Sequence, residues 1–183
     1  LAAGLPVTAE ATPHHFTLTH AACAGYDPVF KVNPPLRTEA DVAAVRAGLA
    51  DGTIATIATD HAPHTPESKE LPFDQAPPGM IGLETALALA LTELDLPLPQ
   101  LLAALSWNPA KVAGIDDVHG RPVAEGEPAN LCVIDPDATW TVRADAMASR
   151  SRNSPYEGRE VRGRVRHTVL AGEPVVIDAE AQR

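Results

Sequence analysis

Two cysteines, Cys23 and Cys132, are all that the 183-residue sequence contains, and they form no CxxC. Far apart in the chain, they read as reduced thiols and exclude a disulfide framework. No apolar run reaches the ~18 residues of a membrane span. A basic segment leading into an apolar run and a small-residue cleavage site is also missing, so no secretory signal is readable and the cytoplasm is the expected compartment. Basic residues are scarce: 14 Lys and Arg against 24 Asp and Glu leave a formal charge of −10. That balance excludes a sequence-independent nucleic-acid surface, which rests on basic patches. The one basic cluster, Arg150, Arg152, Arg159, Arg162, Arg164 and Arg166, alternates with small or apolar residues and reads as the solvated face of strands. Internal repeats and low-complexity tracts are absent. An initiator Met is absent too; the chain starts at Leu1 and runs into "LPVTAEATPHH", the middle of a strand by pattern, which leads us to expect a fragment.

What is present is a globular composition, 45% hydrophobic and 21% charged. Leu5 to Glu10 reads as a short strand running into a loop at Thr12-Pro13-His14-His15, and "FKVNPPLR" as another short strand ended by Pro34 and Pro35. Thr38 with Asp41 fits a capping box; Val42, Val45 and Leu49 share one helical face, and Gly52 is placed to end the helix. "TIATIATD", from Thr53, is apolar or small on both faces, as in a strand covered on both sides of a parallel sheet. A proline-rich loop follows, then a helix from about Ile81 to Leu94, a shorter one near Pro99 to Leu105, and a helical turn after Asn108-Pro109. Strand, helix, strand, loop, helix is the rhythm of an α/β fold. After Val118 the pattern changes to short strands, "NLCVID", "TWTV" and "GRVRHTVLAGEPVVI", the last a hairpin turning at Gly172. Residues 1–118 are therefore expected to form the strand-helix part and 119–183 a small β portion.

Asp60 ends the greasy run. At the C-terminal end of a barrel strand a carboxylate can bind a divalent metal and take a proton from water. It can equally cap the segment that follows. His61 and His64 lie beside it in a loop, where binding residues concentrate.

"ATDHAPHTPESKE", with "VNPPLR" before it and "GLET" after it, resembles the dihydroorotases of the metal-dependent amidohydrolase superfamily. "TAEATPHHFTLTH" and "SRNSPYEGREVRGRVRHTVLAGEPVV" match the same family, so the resemblance runs through nearly the whole chain. It implies the C-terminal part of a (β/α)8 TIM barrel followed by a small β-sandwich portion. The implied activity is the zinc-dependent, reversible cyclisation of N-carbamoyl-L-aspartate to dihydroorotate in pyrimidine synthesis. Asp60 would be the last metal ligand and the catalytic acid/base. His64 and Asn33 would touch the substrate, and Pro78 and Gly79 would lie in the loop over its ring. Where this chain reads "PPG" the family commonly reads "PFG", so Pro78 departs from the pattern. The resemblance leaves His14 and His15 outside the ligand set, and His61 stands between orienting Asp60 and simple packing.

No HxH pair occurs in the chain, although the resemblance implies one, together with a bridging carboxylate or carboxylated Lys and two further His. A catalytic zinc needs about three protein ligands, and a whole barrel takes ~250 residues. The chain alone is therefore expected to hold no zinc and to be inactive. Two other readings stay open: a related cyclic-amide hydrolase such as allantoinase or dihydropyrimidinase, and a non-catalytic dihydroorotase-like subunit scaffolding aspartate carbamoyltransferase. A homo-oligomer, or association with that transferase, is the expected assembly; membrane and nucleic acid are not expected partners.

Overall fold

The computed structural model describes residues 7–182. Its first sheet is a parallel pair, β1 (Glu10–Ala11) beside β2 (Thr56–Ile57), in register Glu10↔Thr56 and Ala11↔Ile57. The pairing is lengthened by Ala55 N–H donating to Ala9 O and Ala58 N–H to Ala11 O. Both strands are shorter than expected, and Leu5 and Pro6 lie outside the described residues. On β2 the reason is local: Ile54 N–H donates to Gly48 O and Thr53 N–H to Asp51 Oδ1, so the start of "TIATIATD" completes a turn instead of a ladder.

Parallel neighbours need a crossover. α1 (Pro13–Thr17) and α2 (Glu39–Ala50) lie on it. Thr12-Pro13-His14-His15, expected as a loop, is the start of α1, because Thr12 is extended and Pro13 fits the first helical turn. That turn carries His14 and Phe16 into the interior. α2 has the expected capping box, with Thr38 N–H and Oγ1–H both donating to Asp41 Oδ2 and Asp41 N–H returning to Thr38 Oγ1. It buries Val42 and Leu49, and Gly52 follows it at φ +79°. "FKVNPPLR" is not a strand. Pro28–Phe30 is a 3-10 turn, and the extended chain after it joins no ladder, since Pro34 and Pro35 have no N–H to give. Val32 and Leu36 anchor it by packing with Met80.

α3 (Pro66–Lys69) interrupts the proline-rich loop, and α4 (Ala86–Glu93) begins five residues later than expected. Residues 81–85 are held off the helix by bonds to His61 and Asn153: Ile81 N–H donates to Asn153 O, and Gly82 N–H and Leu83 N–H to His61 Nδ1. α5 (Leu98–Leu102) runs through a π-turn, Ala103–Trp107, directly into α6 (Asn108–Ala113). Asn108 Nδ2 donates to Ala55 O, which ties this helix back to β2.

β3 (Leu131–Thr141), β4 (Glu160–Leu170), β5 (Glu173–Ile177) and β6 (Glu180–Ala181) form an antiparallel sheet in sequence order. The β4–β5 hairpin turns at Ala171 and Gly172, both at positive φ, as a two-residue turn between right-twisted strands requires. The sheet rests on α4: Gly163 faces Leu91, and Arg162 N–H donates to Thr92 Oγ1. Leu89, Leu91, Val142, Tyr156 and Val161 form one continuous core. Arg150, Arg152, Arg162, Arg164 and Arg166 are exposed as expected, whereas Arg159 turns inward to pair with Glu93, which also binds Arg46 at 2.6 Å.

Candidate active site

Three residues beyond the paired Ala11 and Ile57 stand His14 and Asp60. In-register parallel strands therefore deliver an imidazole and a carboxylate to the same end of the sheet, where an α/β fold collects its chemistry. Asp60 is exposed and sits at φ +47°. A non-glycine residue held there costs on the order of 1 kcal/mol and persists only where its neighbours impose it. The next residues supply that constraint: Ala62 N–H donates to Met80 O at 2.9 Å, and His61 bridges to Met80.

His14 is 3% exposed, and its Nε2 has no hydrogen-bond partner among the described residues. Burial, and secondarily the charge of His15, pushes its pKa down to about 3, so at neutral pH the ring is uncharged and offers a lone pair. A buried, unpartnered nitrogen costs about 1–3 kcal/mol if nothing else meets it. His15 is fully engaged: Nε2–H donates to Pro34 O at 3.0 Å and Nδ1 accepts from Thr12 Oγ1 at 2.6 Å. His15 therefore has no ring nitrogen left for a ligand, whereas His14 keeps one. His14 was missed because its burial follows from α1, whose only local signal was Thr12-Pro13.

Among the described residues no group of three or more His, Cys, Asp or Glu is placed to hold a metal. His14 Nε2 and the Asp60 carboxylate nevertheless fit a zinc-type donor set in kind, a neutral imidazole and a hard oxygen. They would form one side of such a site.

Residues expected to lie in the substrate loop come together. His64 Nε2–H donates to Pro78 O at 3.0 Å. Gly79, at φ +136°, lies against His64 so closely that a Cβ would stand 2.7 Å from His64 Nε2 and from Ala62 Cβ. Its N–H donates to Lys31 O at 2.8 Å. Asn33 is exposed between two fixed neighbours, Lys31 held by Gly79 and Pro34 held by His15. His61 accepts from the backbone of Gly82 and Leu83 through Nδ1, which makes it an anchor for the chain entering α4.

A cleft of about 250 Å³ opens beside His64, lined also by Asp27, Thr65, Lys69, Arg152 and Asn153. Lys69 Nζ donates to Pro28 O and Pro77 O, both at 2.9 Å. Burial, then the neighbouring Lys31 ammonium, lowers its pKa to about 8. Lys31 Nζ reaches Phe73 O at 2.7 Å and Asp74 O at 3.1 Å. A larger cleft of about 340 Å³ is lined by Thr17, Thr19, Glu39 and Arg46, and Asp60, His14 and His64 are not among its lining residues. Asn153, inside "SRNSPYEG", was also missed: its bonds run to residues 74 to 91 positions away, which no local pattern encodes.

Residues 8–175 match the amidohydrolase family. The chain is 51% identical to the dihydroorotase of Streptomyces coelicolor over 181 residues, covering 97% of this chain and 42% of that protein. It is 50% identical to the dihydroorotase of Geobacter metallireducens, covering 95% and 41%. Among solved structures, the L-hydantoinase (dihydropyrimidinase) of Arthrobacter aurescens superposes with a TM-score of 0.91 at 30% identity, covering all of this chain and 42% of that one. The D-hydantoinase of Thermus sp. follows at 0.88 and 27%, covering 99% and 42%. The chain thus spans about two fifths of the length of the relatives it matches.

Proposed function

The chain belongs to the amidohydrolase family, a family of metal-dependent hydrolases, and on that premise we propose that the whole protein to which it contributes acts as a dihydroorotase, opening and closing the ring between dihydroorotate and N-carbamoyl-L-aspartate. The observation that carries this reading is the 50–51% identity to dihydroorotases over almost every residue, against 30% or less for the hydantoinases of the same fold. The fold is the C-terminal strand-helix part of the amidohydrolase barrel with its appended β portion.

Zinc is the proposed metal, with Asp60 and His14 Nε2 as the ligands this chain contributes. When bound, zinc supplies Lewis-acid chemistry, polarising the ring amide and acidifying water. Asp60 handles the proton. In ring opening its carboxylate takes a proton from the attacking water and returns it to the ring nitrogen as the C–N bond breaks; in closure it takes the proton from the carbamoyl nitrogen and gives it to the departing oxygen. Asp60 is exposed, so its carboxylate is open to both water and a ligand. Asn33 carries both an amide donor and an acceptor, suited to the ring amide, and His64 with Pro78 and Gly79 would form the wall over the ring. The retained Asp60, His64 and Asn33 weigh against a scaffold without chemistry.

The hydantoinase likeness of the backbone favours one rival, a related cyclic-amide hydrolase. A panel of dihydroorotate, a 5-substituted hydantoin, dihydrouracil and allantoin separates them. Dihydroorotate should lead by roughly 100-fold in kcat/KM, and chelation should abolish the activity with zinc restoring it; preference for a hydantoin would overturn the assignment. No helix among the described residues is long and apolar enough to cross a membrane. We place the protein in the cytoplasm, as a homo-oligomer or in association with aspartate carbamoyltransferase, to be tested by sizing it alone and mixed with that enzyme.

A further inference from the structure

We propose that Asn153 is the positioning residue of the substrate wall, holding the His64 loop and the Pro78–Gly79 loop at a fixed separation. The proposal rests on the dihydroorotase reading for the identity of the ligand, though not for the geometry. Asn153 is 6% exposed. Its carboxamide spends both donors on the two loops, Nδ2 donating to Ala62 O at 2.9 Å and to Gly79 O at 3.2 Å. Its Oδ1 accepts from His64 N–H at 3.3 Å, and its backbone oxygen accepts from Ile81 N–H at 3.1 Å.

One side chain from a segment preceding β4 thus binds the residues on either side of the His64–Pro78 contact. The two loops touch each other there with little slack: His64 Nε2 meets Pro78 O, and Gly79 has no Cβ because His64 and Ala62 fill that space. A shift of the Ala62–His64 loop relative to Gly79 would break that contact and move His64 within the cleft that it and Asn153 both line. Asn153 touches none of the groups assigned to proton transfer. It sets where substrate is held, and a mispositioned wall weakens binding before it slows chemistry.

The test compares the whole protein with Asn153→Ser, which removes all three side-chain bonds. A second variant, Asn153→Asp, keeps the shape and the Oδ1 acceptor but sets a carboxylate oxygen against two carbonyls. Asn130→Ser is the control, since Asn130 also bridges two segments, Nδ2 to Val118 O at 2.8 Å and Oδ1 from Ala171 N–H at 2.8 Å, neither of them part of the wall. For dihydroorotate, both Asn153 variants should raise KM roughly tenfold or more with kcat within about threefold, and Asn130→Ser should move neither. Amide exchange at Ala62 and His64 should accelerate at least about tenfold while Leu89 in α4 stays protected. Unchanged exchange at Ala62 and His64, or a kcat loss at constant KM, would overturn the proposal. If the unsubstituted protein leaves dihydroorotate untouched, the activity assignment fails, and the exchange pattern alone decides the role of Asn153.

Discussion

Asp60 trades an ordinary backbone conformation for the placement of its carboxylate. At φ +47° an aspartate is tolerated and a glycine is comfortable, so the conformation and the functional group can be separated by substitution. In Asp60→Gly the relief of left-handed strain is offset by greater freedom of the unfolded chain, and stability should stay within about 1 kcal/mol of the parent. Turnover should fall by about a thousandfold or more, since the proposed metal contact and the proposed proton transfer would both be lost. Urea titration and steady-state kinetics read the two effects independently; retained turnover would remove Asp60 from the mechanism. Asp60 and His64 could be singled out as candidates in the sequence because they sit in a compact motif at a strand end. His14 was not, for the same "TPHH" serves a loop or a helix, and only packing buries one imidazole while its neighbour bonds Pro34. Asn153 was still less legible, as an asparagine in a loop is ordinary until its distant partners are known.

The elements follow the same division. α2 was legible down to its cap, because its signals are local and mutually consistent, Thr38 with Asp41 at one end and Gly52 at the other. The segment around VNPPLR was not, since apolar residues before two prolines suit either a strand or a tethered extended chain, and only Lys31 O bonding to Gly79 decides. The loop between α3 and Gly79 has no ladder to hold it. Lysines do so instead: Lys31 and Lys69 place ammonium groups on four backbone carbonyls, those of Phe73, Asp74, Pro28 and Pro77. Replacing both by Met keeps the aliphatic stems and deletes the tethers. The double variant should be cleaved by chymotrypsin after Phe73 about tenfold faster than the parent, with global stability lowered by less, because local opening and not unfolding exposes the loop. Equal cleavage rates would show that the loop is held by other means.

Across the whole molecule the strand-helix part and the β sheet share one core, and the contact between them rests on a missing side chain. Gly163 on β4 lies so close to α4 that a Cβ would collide with Leu91 Cδ1, and its φ of +95° disfavours any side chain. Around this contact Glu93 pairs with Arg46 of α2 and with Arg159 ahead of β4, while Tyr156 O–H donates to Thr17 Oγ1 of α1 at 2.7 Å. Burial raises the Tyr156 phenol well above its usual pKa, so it remains a donor throughout the working range. The half-exposed arginines make the ion pairs modest contributors, of order 1 kcal/mol each. Steric fit should dominate. Gly163→Ala should therefore cost about 3 kcal/mol, part overpacking and part backbone strain. Leu91→Ala alone should cost about the same, as a truncation in a closed core. If the clash with Leu91 is the main defect, the double variant gives the new methyl the space that the leucine vacates, and its loss should fall short of the sum by about 1–2 kcal/mol. Urea denaturation of the four proteins closes the cycle. Strict additivity would mean that backbone conformation at Gly163, and not its contact with α4, is what glycine provides there.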